Sequence, residues 1–241
     1  MRQTLKKAEI IHLATRSRIM SSRKRRISPV LFAAAVVVIA GCSDSSGDET
    51  HGVTATQLCD AVLSESAAAS LERMTGTTEF TELDGTDEAG QPNKFSLSRA
   101  AKNLHAIVSK RSSCSIYKAD DESGRPVVDI NFAATVSHPK TSKDGKDRVR
   151  NRVTYRMGQY ATAGADGASL FFHCPTKGDA DDYVGDAEYV KAAMYAPVAG
   201  LKGNHIDDDR MTVLTAVSRK LVAKLGCENT ADLPAKIPDP A

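Results

Sequence analysis

The spacing of four cysteines constrains the fold of this chain more than any other sequence feature. Cys59, Cys114, Cys174 and Cys227 all lie more than 50 residues apart. A structural zinc site draws on closely spaced pairs such as Cys-x-x-Cys, so no metal site is predicted. In an exported protein an even number of cysteines indicates disulfides, and four cysteines allow three connectivities. We favour Cys59–Cys114 with Cys174–Cys227, which divides the chain into two consecutive cross-linked halves.

The beginning of the chain indicates export. A basic run at 23–26 precedes an apolar segment at 29–40, which is the order of a secretory signal peptide. The apolar segment has only about half of the roughly 20 residues that a membrane-spanning helix needs. Another charged segment lies ahead of this signal. Because Met20 begins a complete signal of its own, it is an alternative start of translation.

The signal ends in Ile39-Ala-Gly-Cys42, which resembles the lipobox of bacterial lipoproteins. The resemblance implies that 1–41 are removed and that Cys42 carries acyl chains. These chains would hold the protein on the outer face of the cytoplasmic membrane. The polar, Gly- and Ser-rich segment 42–53 is then a flexible tether.

The charge of the chain changes when the signal is set aside. Nine of the 32 Lys and Arg residues and one of the 30 Asp and Glu residues lie in 1–41. Residues 42–241 therefore carry 23 basic and 29 acidic residues, a formal net charge of −6. Non-specific nucleic-acid binding needs a clustered basic surface, so no nucleic-acid partner is expected. A chain of this length suits one domain, which we place at 54–230.

Helical patterns open this domain. Thr54 and Gln57 are spaced as a capping box. Ser64 is placed as the N-cap of a helix that Gly76 ends. Apolar residues then recur at helical spacing over 97–110 and predict an amphipathic helix there.

The apolar period then changes to two, which predicts strands. We expect five of them, at 114–118, 128–136, 149–160, 169–174 and 188–196. A last helix follows, with the aspartates 207–209 as its cap and Gly226 at its end. The proline-containing tail 231–241 is predicted to be extended. The expected fold is α+β: an antiparallel meander sheet packed with N-terminal and C-terminal helices and held by two disulfides.

One strand pattern suggests an anion-binding face. Four arginines fall at even positions in or immediately before the predicted strand 149–160, namely Arg148, Arg150, Arg152 and Arg156. Guanidinium groups on one face bind phosphate or carboxylate in a bidentate manner. The alternative is a solvated strand face, which antiparallel sheets commonly have.

Other clusters offer weaker signals. The acidic loop with Asp179, Asp181, Asp182 and Asp186 lacks the regular spacing of a calcium loop. His205 beside the aspartates 207–209 suggests a metal or acid–base cluster, but capping also accounts for these aspartates. No nucleophile, zinc-protease, phosphate-loop or dinucleotide motif occurs, and no cofactor is expected. A pocket that joins His173 or His205 to acids would favour an enzyme.

Three stretches of the domain resemble a family of actinobacterial secreted lipoproteins of unknown function. They are Cys59-Asp-Ala-Val-Leu-Ser64, Met211-Thr-Val-Leu-Thr-Ala-Val217 and Leu225-Gly-Cys-Glu-Asn229. The resemblance implies no catalytic residues. We expect a lipid-anchored binding module that contacts an envelope protein or an anionic polymer. The alternative is a small envelope hydrolase.

Overall fold

The computed structural model describes residues 52–88, 90–140 and 152–241, and the elements below lie in these ranges. All of these residues belong to one compact unit. Five helices and a seven-stranded antiparallel sheet form it, which confirms the predicted α+β class. No helix in the described ranges is long and apolar enough to cross a bilayer.

The predicted helix caps at Thr54 and Ser64 are present at the beginning of the domain. The Gln57 side chain accepts a hydrogen bond from the Thr54 backbone N–H at 3.1 Å and opens a 3-10 turn, Ala55–Gln57. The short helix α1 follows at Leu58–Ala61. The Ser64 hydroxyl accepts from the Ala67 N–H and begins α2, Glu65–Thr75, which ends at the left-handed Gly76.

The sheet consists of two antiparallel meanders joined in the middle. Its strands are β1 Phe80–Thr81, β2 Cys114–Lys118, β3 Val128–Thr135, β4 Val153–Tyr155, β5 Tyr160–Gly164, β6 Gly167–Thr176 and β7 Ala187–Tyr195. Their order is β1-β2-β3-β7-β6-β5-β4, so β3 pairs with β7 rather than with β4. Alternate residues of β3 are buried, which is the predicted period of two.

The long helix α4, Ile206–Leu225, lies in the centre of the packing. It contacts α2 and the short helix α3, Leu97–Lys102, as well as β5, β6 and β7. Because it is enclosed by elements around most of its circumference, apolar side chains such as Met211, Leu214 and Leu221 are fully buried. The predicted cap is wrong in detail, since His205 is the N-cap and the aspartates 207–209 occupy the first turn.

The predicted helix 97–110 is too long. After α3 ends at Lys102, the Leu104 carbonyl accepts a hydrogen bond from Ala134 of β3, and the His105 carbonyl accepts one from Val184. Because these carbonyls bond to other segments, they cannot continue the helical ladder. Val108 therefore lies in a separate 3-10 turn and is 76% exposed.

The predicted strand 149–160 is also wrong as a single strand. Residues 149–151 lie outside the described ranges, and the remainder forms β4 and β5 joined by the turn 156–159. Gly158 adopts a left-handed φ of 57°, which favours glycine and permits this reversal. Apolar residues alternate through Val153, Tyr155 and Met157 into the turn, so the pattern did not reveal the break.

The disulfides pair as predicted. Cys59–Cys114 joins α1 to the start of β2, and Cys174–Cys227 joins β6 to the residue after the Gly226 cap of α4. Their Cα atoms are 5.4 and 5.5 Å apart, within the ordinary range for a disulfide. Residues 52–241 thus contain both cross-links and a continuous core, so this segment can be studied as a folded unit.

The C-terminal tail is extended after one more turn of helix, α5 Glu228–Ala231. It runs back along α4, where Leu233 and Ile237 pack against the core. Its end lies beside β4, because Pro240 forms a bridge with Tyr155 and the Ala241 N–H donates to the Thr154 carbonyl at 2.9 Å.

Candidate functional site

A groove runs along the part of α4 that the sheet does not cover. α2 and α4 are antiparallel, because Arg73 near the end of α2 pairs with Asp209 in the first turn of α4. The start of α2 therefore lies beside the second half of α4, and the C-terminal tail forms the opposite wall. The space between them has a volume of about 460 Å³.

One stripe of α4 forms the floor of this groove. Its residues recur three or four positions apart, which places them on one face of the helix. They are Thr212, Thr215, Ala216, Arg219, Lys220 and Ala223. The small side chains of Ala216 and Ala223 leave the space that larger residues would fill. The stripe spans about 16 Å at 1.5 Å per residue.

The walls of the groove are mostly apolar. Val62 precedes α2, Ala231 ends α5, and Leu233 and Ile237 come from the tail. Val62 and Ala231 are buried, whereas Leu233 and Ile237 are half-buried. The hydroxyls of Ser64 and Ser66 add polar groups at one rim. The groove therefore combines an apolar body with a polar edge.

The charged side chains of the groove form no ion pair with any described residue. Arg219, Lys220 and Glu228 line it and are exposed, and no salt bridge within the described ranges involves any of them. Two cations and one acid give the lining a net charge of +1. These charges are free to bind a ligand.

A second pocket of about 400 Å³ lies at the other end of α4. His205, Asp207, Asp208, Tyr155 and Arg210 line it together with Pro240 of the tail. His205 Nδ1 is 3.9 Å from Asp208 Oδ2. A pocket that joins a histidine to acids is the feature that the sequence analysis associated with an enzyme.

Each aspartate at this end of α4 already has a partner. Asp207 accepts from the Arg210 guanidinium at 2.9 Å, and Asp208 accepts from the Tyr155 hydroxyl at 2.7 Å. Asp209 is almost fully buried and pairs with Arg73, whose pKa this hydrogen bond raises. The carboxylates therefore stabilise the packing of the helix N-terminus, where negative charge is favourable.

Arg210 is the most deeply buried charged residue of this network. Only 1% of it is exposed, and its guanidinium donates to the carbonyls of Gly164, Ala165 and Ala196 as well as to Asp207. Burial lowers the pKa of Arg210, and the hydrogen bond to Asp207 opposes this change. Arg210 thus fixes α4 to the β5–β6 turn and to the end of β7.

Tyr155 is the only hydroxyl-bearing side chain among the residues that line the second pocket. Burial raises the pKa of Tyr155 above its ordinary value, and the hydrogen bond to Asp208 adds to the shift. A phenol that remains protonated is a weak nucleophile. The second pocket therefore holds a bound acid–tyrosine pair rather than an activated nucleophile.

The predicted arginine face is only partly described. Arg148 and Arg150 lie outside the described ranges, as does Cys42. Arg152 and Arg156 are exposed and flank β4, which is three residues long. Arg156 lies in the turn after the strand, so the four arginines do not share one continuous strand. The prediction of an anion-binding face is not decided by this geometry.

The acidic loop between β6 and β7 forms internal hydrogen bonds. Asp182 accepts from the Asp179 N–H at 2.8 Å, and Asp186 accepts from the Gly178 N–H at 3.2 Å. Within the described residues, no group of three or more His, Cys, Asp or Glu side chains is placed to hold a metal ion.

Two histidines act in packing. His173 lies on the sheet, where Nε2 is 3.4 Å from Glu188 Oε2. His105 is 5% exposed, and its Nδ1 lies within 3.0 Å of the carbonyls of Val184 and Gly185. It anchors the loop before β7 rather than lying on a simple helix flank.

Sequence reasoning did not predict the groove. The helix α4 was predicted, but no local pattern marks the face of α4 that lines the groove. Leu233 and Ile237 were the available signal, because two apolar residues in a predicted extended tail indicate that the tail packs.

Comparison of the chain with family models, curated proteins and solved structures finds no match. The resemblance to actinobacterial lipoproteins thus stays a prediction.

Proposed function

We propose that this chain is a lipid-anchored, extracytoplasmic lipoprotein that acts as a binding module at the cell envelope. The sequence Ile39-Ala-Gly-Cys42 and the basic and apolar segments before it support the anchor. The two disulfides fit an oxidising compartment outside the cytoplasm. The membrane is then a partner through the acyl chains on Cys42.

The groove along α4 is the observation that carries the binding function. Its volume of about 460 Å³ falls in the range of small-ligand pockets, which are mostly apolar with a few convergent polar groups. Its charged residues are not used in the packing of the described part of the chain. A groove of this composition binds a ligand rather than completing the fold.

The hydrolase alternative depends on the second pocket, where His205 and Asp208 lie together. Hydrolysis there needs an activated water or side-chain nucleophile. Asp207 and Asp208 are engaged by Arg210 and Tyr155, so neither is a free general base. The geometry therefore supports binding better than hydrolysis.

The anchor is tested by replacing Cys42. Cys42→Ala should abolish labelling of the protein by an alkyne fatty acid and release it from the membrane fraction. Ser46→Ala, in the predicted tether, is the matched control, since it keeps Cys42 and both disulfides and should leave the labelling intact. Unchanged labelling of Cys42→Ala would refute the anchor.

The groove is tested with residues 52–241 and envelope fractions. A component that binds the folded state raises its stability by about 2.7 kcal/mol at 100 times its Kd. Thermal unfolding should therefore shift upward in an envelope extract for the wild type, but not for Ala216→Trp or Ala223→Trp. The control Ala180→Trp, in the exposed loop before β7, should retain the shift. Equal shifts in all four proteins would contradict a site in the groove.

A further inference from the structure

We infer that the groove binds a single-chain amphiphile with one negative charge on its head group, such as a fatty acid or a lysophospholipid. This inference rests on the binding function proposed above, and it specifies the ligand class of the same groove. It combines three observations: apolar walls beside the α4 stripe, two cations that have no ion pair with any described residue, and two hydroxyls at the same rim.

The apolar walls fit an alkyl chain. Val62, Ala231, Leu233 and Ile237 face the α4 stripe along its length. The floor extends about 16 Å along α4 beside an extended tail, so the groove can accommodate a linear chain. Burial of each methylene strengthens binding about fourfold. Affinity should therefore rise with chain length until the chain outgrows the groove.

The head group has a defined position. Arg219 and Lys220 lie in the second half of α4, beside the start of α2 because the two helices are antiparallel. The hydroxyls of Ser64 and Ser66 are at the same rim. Arginine binds carboxylate and phosphate oxygens in bidentate fashion, so Arg219 can hold the head group.

The charge balance selects a monoanion. Glu228 is the one acid among the lining residues, so the lining has a net charge of +1. A carboxylate or a phosphodiester matches this charge, whereas a cationic head group would face Arg219 and Lys220. The free carboxylate and the lipid phosphodiester share the required chemistry, and separate probes distinguish them.

The absence of tryptophan from the chain permits a direct assay. Ala235→Trp would place the single tryptophan on the tail wall of the groove, at an exposed position. The control Ala180→Trp places it in the loop before β7. Residues 52–241 of each variant are titrated with dodecanoate and with lysophosphatidylglycerol below their micelle concentrations.

We expect a saturable blue shift of fluorescence for Ala235→Trp and none for Ala180→Trp. Dodecyltrimethylammonium has the same chain and the opposite charge, so its affinity should be lower by a factor of at least about ten. Decanoate should bind more weakly than dodecanoate by about fourfold for each methylene. A response to only one of the two anions would identify the head group and still support the class.

Charge reversal tests the head-group position. In the Ala235→Trp background, Arg219→Glu with Lys220→Glu should weaken dodecanoate binding about tenfold or more. Lys224→Glu alters the same helix outside the groove and should change binding less than about twofold. Equal loss in both variants would refute a head-group site at Arg219 and Lys220.

The two proposals fail in different ways. If no anionic amphiphile binds, but an envelope extract still stabilises the wild type and not Ala216→Trp, the ligand class is wrong and the binding groove stands. If neither the probes nor the extract distinguishes the groove variants, both proposals are overturned.

Discussion

The charged residues at the two ends of α4 differ in whether they have partners. In the first turn, each of three aspartates is bound by a neighbour, namely Arg210, Tyr155 or Arg73. In the second half, Arg219 and Lys220 have no ion pair with any described residue. The N-terminal end of α4 uses its charged groups in packing, whereas the C-terminal half leaves its cations available to a ligand.

The difference follows from how each end is attached. Hydrogen bonds and ion pairs fasten the N-terminal end to α2, β4 and the β5–β6 turn. At the C-terminal end, Gly226 ends the helix and the Cys174–Cys227 disulfide fastens it to β6. Because a covalent bond holds this end, its surface charges are not required for packing.

Removal of the buried Arg210 guanidinium should destabilise the packing of the N-terminal end of α4. Arg210→Met leaves the carbonyls of Gly164, Ala165 and Ala196 without their donor and Asp207 without its cation. We expect the free energy of unfolding to fall by about 3–5 kcal/mol. Urea unfolding followed by circular dichroism measures this. The matched variant Arg219→Met should change it by less than about 0.5 kcal/mol. Equal effects of the two substitutions would remove the contrast between the ends.

Removal of the covalent link should weaken the second end. Cys174 and Cys227 are 53 residues apart, so their bond restricts a long loop of the unfolded chain. Cys174→Ala with Cys227→Ala should cost about 2–4 kcal/mol of unfolding free energy. Wild-type protein with both disulfides reduced provides the comparison. A double variant as stable as the wild type would show that contacts other than the disulfide hold this end.

Tyr155→Phe removes one hydrogen bond at the N-terminal end of α4, the one from the Tyr155 hydroxyl to Asp208. Because the acceptor is the charged Asp208, we expect a loss of about 1–2 kcal/mol. The folded-state pKa of Tyr155 is raised, so its contribution is present below the unfolded tyrosine pKa of about 10. It is lost as the pH rises above that value.

The stability difference between the wild type and Tyr155→Phe should therefore shrink in alkaline solution. Unfolding at a series of pH values up to that range measures the difference directly, and other tyrosines cancel because both proteins contain them. A difference that grows with pH would contradict the assigned role of Tyr155.

The smallest effect on stability is expected at the groove. Arg219→Glu with Lys220→Glu should alter the free energy of unfolding by about 0.5 kcal/mol or less, because exposed charges contribute little. Lys224→Glu is the control on the same helix. If the pair of reversals destabilises the domain as much as Arg210→Met does, both ends of α4 use charge for folding.

The order of the main elements could be predicted from local patterns. Ser64 and Gly76 delimit α2 because a hydroxyl cap and a left-handed glycine act within a few residues. The alternation of apolar and polar residues in β3 and the helical spacing of apolar residues in α4 are equally local signals. The disulfide pairing was correct because cysteines 53 and 55 residues apart join neighbouring elements.

Residues 104–105 and 156–159 show where local patterns fail. At Leu104 and His105, hydrogen bonds from β3 and from the loop before β7 end a helix that the periodicity would extend. At Gly158, one backbone conformation reverses the chain directly after an apolar alternation that reaches Met157. Both decisions depend on partners or dihedral angles that side-chain hydropathy does not encode.

The sequence by itself determined the α+β class and main elements such as α2, β3 and α4, since these follow from periodicity and caps, and it favoured the observed disulfide pairing. Only the tertiary structure decided which charges remain available, because Asp207, Asp208 and Asp209 meet partners that α2 and the sheet bring to them. It also decided that the tail returns along α4. A groove between elements distant in sequence has no local signature, because its walls meet only when the chain folds.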